Sequence, residues 1–182
     1  MIDISLSSIA GETDDFKRKL LFLCWLRNEL KKDKVEFIVV GGSAVELYSF
    51  GKYLSGDIDI VSSGSYIIGE KLENIGFVKR GKEWVSEKLR LFVEIPARTI
   101  AGDPSRVREV EVLDALSIKV IGIEDLIVDR LNACVHWKYE TDCEWASYLI
   151  RKFENEIDWD YLRQKARKEQ IDAMLTELAG RE

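Results

Sequence analysis

Between Phe37 and Val61 the chain reads FIVVGGSAVELYSFGKYLSGDIDIV, and no other stretch restricts the fold as much. The β-branched run predicts a strand over Val35–Val40 that stops at the glycine pair Gly41-Gly42. A helical stretch from Ser43 to about Phe50 follows, with Gly51 as its stop signal. Asp57 to Val61 then alternates acid and apolar with period two, so Ile58 and Ile60 turn to the core. Asp57 and Asp59 leave the opposite face together, roughly 6.6 Å apart at the backbone. Strand, turn, helix and strand in such quick succession predict an α/β fold.

Two carboxylates aimed at one place repel, and a divalent cation removes that penalty. Oxygen ligands with no histidine or cysteine beside them favour Mg²⁺ over zinc, and Mg²⁺ completes its shell with water and substrate phosphates. The preceding turn suits such a substrate. Gly41 and Gly42 leave the backbone uncovered, and Ser43 opens a helix whose free N–H groups attract anions while its hydroxyl adds a donor. A third acid, Glu94 in LFVEIP, lies on a later predicted strand, with Glu109 and Glu111 in reserve.

The remainder of the chain fills out a mixed α/β domain. Thr13, followed by Asp14 and Asp15, reads as a helix N-cap, and the helix runs to about Lys32 with a middle that is apolar on every side, which predicts burial between layers. A second helix runs to about Asn74. Short strands are expected near Phe77–Lys79, Glu83–Val85, Arg90–Ile95, Val107–Leu113 and Ser117–Val120. After Gly122 every segment reads as helix: Glu124 to about Trp137, Asp142 to about Phe153, Trp159 to about Lys168, and a last one to Leu178. The expected organisation is therefore a mixed sheet flanked by helices over residues 1–122, with a helical C-terminal region, 123–182, packed on it.

Composition excludes several classes of function. The longest apolar run, Leu20 to Leu26, is far too short to span a bilayer. The opening residues MIDISLSS lack the pattern of a secretory signal, so a cytoplasmic protein is expected. With 27 basic and 33 acidic residues the net charge is −6, which argues against a broad grip on nucleic acid. A locally cationic stretch over residues 79–108 could nonetheless draw in a triphosphate through Lys79, Arg80, Arg90 and Arg98. Cys24, Cys134 and Cys143 form no CxxC pair and leave one over, so reduced thiols are expected rather than a disulfide. Cys134 and His136 stand two apart on a predicted helix and point to different sides, which excludes zinc there. Arg130 reads as an ion-pair partner. A P-loop would need glycine at 46 and Ser or Thr at 53, where the chain has Glu46 and Tyr53.

The run from Phe37 to Val61 resembles the signature of the nucleotidyltransferase superfamily that shares its fold with DNA polymerase β, in particular its small prokaryotic, AbiEii-like members. IEDLIVDRLNACVHW is similar to the helix that follows the catalytic domain in AbiEii-like proteins. The resemblance implies Mg²⁺-dependent transfer of a nucleoside monophosphate from an NTP to a hydroxyl of a protein or RNA acceptor. Carried over residue by residue, Gly41, Gly42 and Ser43 would bind the NTP, and Asp57, Asp59 and Glu94 would be catalytic and hold two Mg²⁺ ions. Glu94 stands where Asp is usual, and Gly56 where a bulkier polar residue often precedes the first Asp. The rival implication is a catalytically silent nucleotidyltransferase-like binding protein, such as one component of a toxin–antitoxin pair.

Overall fold

A computed structural model describes residues 4–113 and 116–180. The chain divides into two compact units, one formed by residues 1–100 and 107–121, the other by 101–106 and 122–182. The first unit opens with α1 (Leu6–Gly11), a helix the sequence reading missed; it is too short to show periodicity, and a reciprocal Ser5–Ser8 capping box starts it. In α2 (Asp15–Leu30) the N-cap is Asp14 rather than Thr13, its side chain accepting from the Lys17 N–H at 2.7 Å. Residues Leu20 to Cys24 are all buried, as an apolar belt between layers requires.

The elements that follow are β1 (Ile38–Val39), α3 (Gly41–Tyr48), β2 (Ile58–Val61), α4 (Ser65–Asn74), β3 (Val78–Arg80), β4 (Glu83–Ser86), β5 (Leu91–Glu94), β6 (Arg108–Leu113) and β7 (Leu116–Val120). They build a seven-stranded sheet in the order β3-β4-β5-β2-β1-β7-β6. β2 runs parallel to β5 and β1 parallel to β7, while the other neighbours are antiparallel, so the sheet is mixed as expected. β1 is shorter than the apolar run from Val35, because the Val35 N–H turns back to the Leu30 carbonyl (3.2 Å) and closes the end of α2. Ile58, Ile60, Val93, Ile118 and Val120 form the floor of the core, each at most 1% exposed.

One buried ion pair links α2 to α3. Lys19 Nζ lies 2.8 Å from Glu46 Oε2 and also donates to the Ser55 carbonyl. Burial raises the Glu46 pKa, and the Lys19 bond and charge lower it without cancelling the rise. A carboxyl whose folded-state pKa is raised loses stability as pH climbs through that value. Glu46→Gln mimics the protonated carboxyl and removes this loss. The stability of the variant relative to the native chain is therefore expected to rise from pH 4 to pH 8, as measured by urea unfolding.

The second unit contains α5 (Ile123–His136), α6 (Glu140–Lys152), α7 (Trp159–Lys168) and α8 (Asp172–Ala179). Arg130 of α5 reaches Asp129 (2.6 Å) and, across to α6, Asp142 (2.7 Å), the ion-pair role expected of it. Segment 101–106 is tied into this unit: the Asp103 N–H donates to buried Asp125 (2.9 Å), and the Arg106 guanidinium stacks on Tyr161 and pairs with Asp158. Asp125 also accepts from the Tyr161 hydroxyl at 2.7 Å. Burial first, and this bond to Asp125 second, hold the phenol well above its usual pKa.

The expectation of reduced thiols is overturned. Cys134 and Cys143 form a disulfide, with Cα atoms 5.0 Å apart, and Cys24 is the free, buried cysteine. Counting cysteines could not anticipate this pair. Lys138 takes a left-handed conformation (φ 58°) in the α5–α6 connection, and the turn brings the end of one helix against the start of the next. Closing so short a loop stabilises by about 2 to 3 kcal/mol in the chain-entropy account. Dithiothreitol should therefore lower the melting temperature by several degrees, whereas a Cys134→Ser, Cys143→Ser variant should melt at one temperature with or without reductant.

Candidate active site

The glycine turn and the DID strand are built around each other. Gly41 begins α3 with φ +56°, and a Cβ on it would lie 2.9 Å from Asp59 Oδ2, so both its conformation and its neighbour demand glycine. At Gly42 a Cβ would come within 3.1 Å of Ser55 Oγ and 3.2 Å of the Tyr53 hydroxyl. Ser43 is 4% exposed, and its hydroxyl is engaged: it donates to the Asp57 carbonyl (2.9 Å) and accepts from the Asp59 N–H (2.9 Å). The side chain expected to meet a phosphate thus holds the backbone of both aspartates. Asp57 Oδ1 in turn accepts from Ser55 Oγ at 3.1 Å.

Register brings the other acids to them. Asp59 on β2 stands opposite Glu94 on β5, and Glu94 stands opposite Glu83 on β4, so the three form one row across three strands. One carboxylate oxygen each of Asp57, Glu83 and Glu94 lie within 4.8 Å of one another. Asp59 stands beside this trio, against Gly41. Glu83 was not singled out from the sequence. The signal was the spacing of the β4–β5 hairpin: counting back from Glu94 through the turn at residues 87–90 pairs it with Glu83. The reserve candidates Glu109 and Glu111 lie on β6 at the far edge of the sheet, where Glu109 accepts from Ser117 (2.7 Å).

Lys82 is the cation at this cluster. Its ammonium lies 3.1 Å from Glu94 Oε1, and the hydrogen bond to Glu94, then the charges of Glu94, Glu83 and Asp57, raise its pKa. Lys82 was not among the basic residues expected to draw in a triphosphate; of those, Arg80 pairs with Glu87, Arg90 bonds the Glu12 carbonyl, and Arg98 bonds the Ser63 carbonyl. Lys79 and Lys82 instead line a cleft of about 790 Å³ that opens beside Glu94, between α4 and the β3–β4 turn. Tyr66, Glu70 and Glu73 of α4 form its opposite wall, and Trp84 belongs to its lining.

No protein-family model and no curated protein matches the sequence. Solved structures do. The crystal structure of ANT(2″)-Ia in complex with adenylyl-2″-tobramycin superposes with a TM-score of 0.52 over 85% of this chain and 93% of that one, at 10% identity. The two chains share one fold. A solution structure of the antibiotic-resistance factor ANT(2″)-Ia covers 79% of this chain and 94% of its own at 12% identity, with a TM-score of 0.45. Among the described residues, no helix is long and apolar enough to cross a membrane.

The donor set fits a hard divalent cation. Carboxylate oxygens from β4, β5 and the residue just before β2 gather with neither histidine nor cysteine among them, and their mutual repulsion favours whatever cation sits between them. The geometry also assigns Ser43 a cost that can be measured without any ligand. Ser43→Ala removes two part-buried hydrogen bonds, to the Asp57 carbonyl and from the Asp59 N–H, so stability should fall by about 1 to 3 kcal/mol in urea unfolding. A serine that served only to touch phosphate would leave the unliganded protein unchanged.

Proposed function

We propose that the chain transfers a nucleoside monophosphate from an NTP to a hydroxyl-bearing acceptor. The observation that carries this reading is the convergence of Asp57, Glu94 and Glu83, with Asp59 alongside, next to the uncovered bend of Gly41 and Gly42. In this reading Asp57, Asp59 and Glu94 hold two Mg²⁺ ions, with Glu83 as a further ligand. Such ions supply charge neutralisation on the phosphates and a lowered pKa at the attacking hydroxyl. The backbone N–H groups of Gly41, Gly42 and Ser43 at the start of α3 cradle the triphosphate, and Ser43 keeps the two aspartates in place. The acceptor oxygen bonds to the α-phosphorus as the bond to the bridging oxygen breaks, pyrophosphate leaves, and a carboxylate of Glu94 or Glu83 takes the hydroxyl proton.

The cleft beside Glu94 supports a preference between acceptors. Glu70, Glu73 and Glu94 line it together with Lys79 and Lys82, and Lys82 is already paired with Glu94. A polyanion such as RNA gains no net attraction from these walls, so a protein side chain or small-molecule hydroxyl is favoured. ANT(2″)-Ia, solved with adenylyl-2″-tobramycin, has a nucleotidyl group on a small molecule, which agrees with that preference.

The second reading is a silent nucleotidyltransferase-like protein, one half of a toxin–antitoxin pair for example; the Lys82–Glu94 ion pair favours it, because it already neutralises the third acid. One experiment separates the two. Each of the four NTPs, labelled at the α-phosphate, is incubated with the protein, Mg²⁺ and host lysate, and the products are separated by size. Label should pass to an acceptor, and Asp57→Asn with Asp59→Asn should reduce transfer at least about 100-fold without lowering the melting temperature, since carboxylate repulsion is relieved. Mg²⁺-dependent NTP binding with no transfer would select the silent reading.

A further inference from the structure

The cationic site of this acidic protein lies away from the carboxylates and is assembled from residues far apart in the chain. A recess of about 300 Å³ in the first unit is lined by Arg27 of α2, Lys31 and Lys34 of the turn that follows it, Val35, Glu36 and Phe37 leading into β1, and Lys119 of β7. Four cations face one carboxylate there. Glu36 is held by Lys119 at 2.7 Å, and nearby Asp33 by Lys71 at 3.0 Å, so neither acid is free to neutralise the lysines of the turn. Arg27 is anchored: its guanidinium bonds Ser117 Oγ (2.9 Å) and stands 3.5 Å from Glu109. Counting Glu109 as well, cations still outnumber carboxylates two to one.

Lys31 and Lys34 are exposed and have no ion-pair partner among the described residues. Position at the end of α2 accounts for part of this, because cations are favoured at a helix C-terminus. It does not account for Lys119, which arrives from β7, nor for the recess itself. Lys34 is held in a left-handed conformation (φ 55°), which closes the turn and fixes where its side chain departs. The lining joins these charges to an apolar surface, Val35 and Phe37, the latter 5% exposed. A bare anion needs only the charges. A recess at the lower end of the size range of small-molecule sites, with cations beside apolar surface, suits a phosphoryl group carrying a compact organic body.

We propose that this recess is a metal-independent binding site for a free phosphate monoester, its phosphoryl group held by Lys31 and Lys34 and its organic part against Val35 and Phe37. The site is separate from the proposed catalytic one. Phe37 and Gly41 flank β1 on opposite sides, four residues and roughly 13 Å of extended chain apart. The two sites also answer to opposite conditions, because without a cation the carboxylate cluster repels phosphates while the recess attracts them.

The test is calorimetric titration of the full chain in EDTA at low salt, with AMP and with inorganic phosphate as probes. AMP should bind saturably at one site, more tightly than inorganic phosphate, and the affinity should fall as salt is added. Lys31→Ala with Lys34→Ala, both on exposed side chains, should weaken AMP at least about tenfold while the melting temperature holds. Asp57→Asn with Asp59→Asn should leave AMP binding in EDTA unchanged or slightly stronger, so the result does not depend on catalysis. Absence of saturable binding, binding that survives the double lysine variant, or AMP binding no tighter than inorganic phosphate would each overturn the proposal.

Discussion

Four carboxylates on one face of a sheet repel one another, and the first unit is arranged around keeping them together. The Ser43 hydroxyl spans the peptide groups of Asp57 and Asp59, and the β2–β5–β4 register delivers Glu94 and Glu83 to the same row. Gly41 leaves room for the Asp59 carboxylate by having no side chain. Backbone bonding holds the acids in positions that their charges alone would not choose. The repulsion left over is what a cation would relieve, so the structural cost and the proposed function have one source.

Much of this was legible from residue order. The Gly-Gly turn and the period-two DIDIV strand follow from local pattern alone, and the mixed sheet follows from short strands that alternate with helices early and then crowd together. Glu83 was harder to see, because its relevance comes from a cross-strand register and not from its neighbours in sequence. Ser43 was read for its chemistry, a hydroxyl at a helix start, and the structure spends that hydroxyl on the adjacent strand. α1 escaped because six residues are too few for a periodic signal. The basic stretch over residues 79–108 was visible as composition but disperses into separate local bonds, whereas the recess around Arg27, Lys31, Lys34 and Lys119 could be seen only after folding.

The disulfide bears on where such a chain is at home. Cys134–Cys143 and the Arg130–Asp142 ion pair fasten the same two helices about one turn apart. Disulfides persist in oxidising compartments and in the cytoplasm of hyperthermophiles.

Residues 101–106 belong to the helical unit although the chain enters and leaves them from the sheet unit. The polypeptide therefore passes from one unit to the other three times, and neither is a contiguous stretch of sequence. A gene cut anywhere in the 114–122 region would express a fragment in which Asp103 and Arg106 had lost Asp125, Asp158 and Tyr161. Recombination that shuffles whole modules cannot exchange either half cleanly, so in evolution the two units are expected to be inherited together.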